Sequence, residues 1–137
     1  MKRRKDSDNI RRVLLASMFM LFFMGRYTVR DALEELEDLG RGLVSRVVGF
    51  LDKRDYDGVA GILVSLRYER VCVEREARVL RLKGELDREV YEALMRGYSE
   101  LEARIWRIVE ERGATSDVHL LYIMRLEALS KSDGRRL

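Results

Sequence analysis

The chain has one cysteine, one histidine, one asparagine, and neither proline nor glutamine. Cys72 alone excludes an intrachain disulfide and a cysteine-based metal site. Set between Val71 and Val73, it reads as a buried structural thiol. A single histidine, His119, leaves zinc without ligands; beside Leu120 and Leu121 it reads as a packed or surface residue. No phosphate loop occurs, and no nucleophile stands beside a base, so no catalytic residue, metal or cofactor is expected and the chain does not read as an enzyme. Scarce amides, with arginine far more frequent than lysine, point to a thermophile, where labile side chains are avoided and ion-pair networks gain value.

A long hydrophobic run is also missing. The apolar run Val13–Met24 is twelve residues long, Ser17 included, against roughly 20 for a membrane-crossing helix. "MKRRK" before it could serve a secretion signal, but "FFMGRY" offers no small-x-small cleavage site. The segment therefore reads as a buried first helix, capped by Ser7 or Asp8 and ended by Gly25. The compartment expected is the cytoplasm, with no membrane association.

What is present is a strongly ionic chain of 137 residues with net charge +3, long enough for one domain with an appended element. Its first 83 residues are basic on balance and residues 84–112 acidic, so only the first part suits a polyanion. No internal repeat is evident.

After the first helix, Thr28 can cap a second, with Val29, Ala32, Leu33, Leu36 and Leu39 at helical spacing. Gly40 and Gly42 bracket Arg41 in an expected tight turn. A third helix then carries Leu43, Val47, Phe50 and Leu51 on one face. Residues 57–68 are ambiguous between helix and strand. β-Branched residues in 69–74 and 78–82 predict a hairpin with "EREA" at its tip. From Gly84, Leu86, Val90, Leu94, Tyr98, Leu101, Ile105 and Ile108 mark a helix of about 28 residues. Thr115 or Ser116 caps a last helix, followed by a tail.

In this order, "TVRDALEEL…LGRGLVSRVVGFLDKRDY" resembles the helix-turn-helix of MarR- and PadR-like regulators and similar archaeal winged-helix proteins. "ARVLRLKGELDREVYEAL" resembles their last wing strand running into the dimerisation helix. The resemblance implies a mainly α fold with a small β-hairpin wing. It divides the chain into a basic arm (1–7), a winged helix-turn-helix domain (8–83), a helical dimerisation region (84–130) and a flexible tail (131–137).

It also implies binding of double-stranded DNA by a homodimeric transcriptional regulator. Arg41, Ser45 and Arg46 would read base edges, and Lys53 and Arg54 would meet phosphates. Thr28 and Arg30 would hold the backbone at a helix N-terminus, while Arg75 and Arg78 would reach out from the wing. Leu86, Val90, Leu94, Tyr98, Leu101, Ile105 and Ile108 would form the dimer interface. A small-molecule effector is compatible with such a regulator, but no residue argues for one. The alternative is a winged-helix protein–protein module that binds no DNA, favoured by the near-neutral charge and by Glu34, Glu35, Glu37 and Asp38.

Overall fold

A computed structural model describes residues 29–133, which form four helices joined by short turns. They are α1 (Val29–Asp52), α2 (Tyr56–Leu82), α3 (Arg88–Glu111) and α4 (Thr115–Asp133). No described residue lies in a strand, and this overturns the winged helix-turn-helix expected from the sequence. The basic arm, the first helix and Thr28 fall outside the described residues.

The hairpin expected over 69–82 is the second half of α2. Its buried residues Leu66, Glu69, Val73, Ala77 and Leu80 step by three and four, which a two-residue strand period cannot satisfy. "EREA" also contains none of the residues that favour the positive φ of a tight hairpin turn, whereas Glu, Arg and Ala favour a helix.

The tight turn expected at Gly40–Gly42 is absent too, because α1 runs straight through it. Each internal glycine costs a helix about 1 kcal/mol relative to alanine. At Gly40 the missing side chain has a use: a Cβ there would stand 3.3 Å from Leu101 Cδ1 of α3. Gly97 of α3 repays the arrangement, since its missing Cβ leaves room for Leu36 of α1.

These contacts fix direction. Leu36 meets Gly97, Gly40 meets Leu101, and Asp52 accepts a 2.6 Å bond from Arg112, so α1 and α3 run parallel. Within each hairpin the helices are antiparallel. The Phe50 ring covers Gly58, and Trp106 packs on His119 and Tyr122. It follows that α2 and α4 also share a direction. The chain is two helical hairpins stacked side by side, with α1 on α3 and α2 on α4.

The sequence shows no repeat, yet the two hairpins repeat one geometry. α1 and α3 each have 24 residues. Arg54 and Gly113 each adopt a left-handed φ, of 55° and 67°. Both turns close with the same pair of bonds: Arg54 N to Leu51 O and Asp55 N to Phe50 O, then Gly113 N to Glu110 O and Ala114 N to Val109 O. This is the Schellman arrangement that satisfies the last carbonyls of a helix. The α2–α3 turn at Gly84 has it too, so the repeat rests on spacing and burial rather than on the turn type. Four residues into each second helix stands a fully buried valine, Val59 or Val118.

The core stripes agree as well. Ala32, Leu36, Gly40, Leu43, Val47 and Leu51 of α1 are matched by Val90, Leu94, Tyr98, Leu101, Ile105 and Val109 of α3. Both stripes return every 11 residues, a period of about 3.67, slightly above the 3.6 of a straight helix and suited to a gentle right-handed supercoil. The stripes superpose after a shift of 58 residues and the turns after 59. That single residue rotates the stripe of α3 by about 100° relative to the turn that follows it. One apolar cluster, from Ala32 to Val118, draws on all four helices.

Candidate functional site

The cations expected to read DNA do not converge. Arg30 is exposed and pairs with Glu34 at 3.3 Å, and exposed Arg41 pairs with Asp38 one turn away. Ser45 is exposed and Arg46 half-buried in α1, while Lys53 and Arg54 occupy the α1–α2 turn. Arg75 and Arg78 are exposed in α2, some 20 residues past that turn and therefore roughly 30 Å from it at 1.5 Å per residue. On α1 itself Asp31, Glu34, Glu35, Glu37, Asp38 and Asp52 outnumber three arginines, so the helix is acidic on balance.

The stripe expected to pair two subunits is used within one. Val90, Leu94, Tyr98, Leu101 and Ile105 are buried in the chain's own core, and Leu86 and Ile108 are half-buried. Tyr98 is fully enclosed.

Between α2 and α3, Arg70 Nη1 donates to Glu102 Oε2 at 3.4 Å. Glu102 Oε1 and Arg67 Nε are buried with no hydrogen-bond partner among the described residues. Burial pushes the Glu102 carboxyl above the ordinary glutamate range, opposed by Arg70 and Arg67. This half-buried ion pair ties α2 to α3.

A cleft of about 170 Å³ lies between the end of α2 and Tyr91, lined by Glu74, Arg78, Arg81 and Leu86. Sites for drug-sized ligands start near 300 Å³, so this cleft does not house one. Among the described residues no group of His, Cys, Asp and Glu is arranged for a metal, and no helix is long and apolar enough to cross a membrane.

The surface feature that stands out is on α4. Its apolar residues are spread around the helix, which in a globular chain marks a helix buried on more than one side. One side is used: Val118 is fully buried, Leu121, Tyr122, Leu126 and Leu129 are half-buried, and Tyr122 meets Trp106 edge-on at 5.5 Å. Arg125 fastens that side, donating to Asp57 from Nε at 3.0 Å and Nη2 at 2.7 Å. The other side carries Leu120, Ile123 and Met124, which are 63 %, 38 % and 56 % exposed. Three large apolar side chains within two turns form a contiguous patch of the kind that partners cover.

The sequence contains a signal for this face. "VHLLYIM" has seven residues with one polar member, too many apolar positions for a helix with one buried side. Comparison with protein-family models, curated proteins and solved structures finds no match to the chain.

Proposed function

We propose that the chain is a non-catalytic protein-binding module built from two stacked helical hairpins, with the outward face of α4 as its contact surface. The observation that carries this is the exposure of Leu120, Ile123 and Met124 on a helix already packed on its other side. Leaving such groups in water forfeits about 25 cal/mol per Å² of apolar area, which a partner's surface would recover. A cytoplasmic location belongs to the same proposal, supported by the lone cysteine.

Double-stranded DNA is a second reading, favoured by Lys53 and Arg54, exposed together at the α1–α2 turn. Fluorescence-anisotropy titrations on duplex fragments at several salt concentrations separate the two. Phosphate contacts release counterions and make affinity fall steeply with salt. Protein binding alone is expected to leave duplex affinity negligible, and unchanged in a Lys53→Ala/Arg54→Ala variant. Tight, salt-steep binding to duplexes would overturn the protein-binding proposal.

A further inference from the structure

We infer that the partner of α4 is a second copy of this chain, bound through an antiparallel α4–α4 pair with Met124 on the two-fold axis. The inference rests on the protein-binding reading and adds to it the identity of the partner.

The repeat of hairpin geometry carries the first step. α2 receives α4 along a stripe that includes Asp57 and Gly61, where Arg125 bonds one and lies over the other. A shift of 59 residues superposes the turns and the starts of the second helices. The same shift carries Asp57 and Gly61 to Ser116 and Leu120, and their stripe-mate Val64 to Ile123. The exposed patch thus includes, in Leu120 and Ile123, the α4 counterparts of the α2 surface that α4 covers, although α4 lies parallel on α2 and a second α4 would lie antiparallel. No third hairpin follows among the described residues to fill it.

Charge carries the second step, from any helix to this one. The first turn of α4 holds acidic Asp117 and the last turn basic Lys131. Met124 lies seven residues from each, so all three fall on one seam of the helix. Turning a second α4 about Met124 sets Asp117 opposite the second copy's lysine and Lys131 opposite its aspartate. Leu120 then faces Ala128, a large side chain against a small exposed one. A two-fold contact must match itself in this way, because each residue meets its partner twice. The antiparallel direction also sets each helix N-terminus beside the other's C-terminus, where the dipoles attract. So small an interface falls at the weak end of specific association, and the dimer should exchange with monomer at micromolar concentrations.

Sedimentation equilibrium of the full chain over that concentration range tests the inference. The expected result is a monomer–dimer equilibrium. Leu120→Glu/Met124→Glu should be monomeric throughout, with its far-UV circular dichroism unchanged. Lys131→Asp and Asp117→Lys should each weaken dimerisation by about tenfold, since each costs two surface pairs and adds two repulsions. Asp117→Lys/Lys131→Asp should restore most of it, which a merely structural role for these residues would not produce. A wild type that stays monomeric overturns the inference, as does a dimer indifferent to the α4 variants. If that monomer, carrying a photo-crosslinker at position 124, labels a different protein whose binding Leu120→Glu/Met124→Glu abolishes, self-pairing fails and protein binding stands. A monomer that labels nothing sinks both. Crosslinking to residues 13–24 of the same chain also overturns self-pairing.

Discussion

Leu36 of α1 sits in the space that a side chain on Gly97 of α3 would need, and Leu101 of α3 stands in the same relation to Gly40 of α1. This reciprocal fit holds the two hairpins in parallel register. Gly97→Ala should therefore lower stability by about 1–2 kcal/mol, because overpacking costs more than the gain in helix propensity. Gly40→Ala, whose nearest contact is a looser 3.3 Å, should change it by less than about 1 kcal/mol. Urea denaturation midpoints of the two variants check the order.

Arg54 occupies a left-handed conformation at φ 55°, where Gly113 stands in the second hairpin. A side chain there costs about 1 kcal/mol more than glycine. Arg54→Gly should accordingly raise the melting temperature, by a few degrees for a domain of this size. Thermal denaturation reads this directly.

The replacement of a hairpin by the second half of α2 has its own test. Proline suits a β-turn but breaks a helix interior, at a cost of about 3 kcal/mol or more. Glu76→Pro falls within α2, at what would have been the hairpin tip. Severe destabilisation is expected in denaturant titration. A variant as stable as the wild type would bring the hairpin back.

Glu102 should make stability depend on pH in a defined direction. Burial raises its folded pKa, so the folded chain holds this proton more tightly than the unfolded one. The group's contribution is then full below the ordinary glutamate value and is lost as pH rises through the raised one. The groups facing it are Arg70 and Arg67, which limit the rise. Glu102→Gln removes the titration, so its stability relative to wild type should grow over the pH range that begins at the ordinary glutamate value and rises from there. Denaturant midpoints across that range provide the measurement.

Much of the fold was legible from helical spacing. The stripe Val90, Leu94, Tyr98, Leu101 and Ile105 is legible as one face of one long helix, and the last helix begins at Thr115, one residue or two before a cap at Thr115 or Ser116 would start it. What failed were readings that depend on neighbours distant in sequence. Gly40 and Gly42 look like a turn until Leu101 fills the gap left by Gly40. Val71, Val73 and Val79 look like strand until burial at Val73, Ala77 and Leu80 fixes a helical period. The hairpin repeat was hidden because it conserves polarity and turn geometry while the residues differ, Gly40 answering to Tyr98. The face of α4 was legible in part. Its excess of apolar residues is plain in the sequence, but which of them remain exposed depends on α2 and on Trp106.

The most direct test of the working surface compares a photo-crosslinking amino acid at position 124 with one at position 53, each in the full-length chain. The expected product from position 124 has twice the mass of the chain and joins two copies near residue 124, while position 53 yields none. Crosslinking of position 53 to duplex DNA, with position 124 silent, would contradict it.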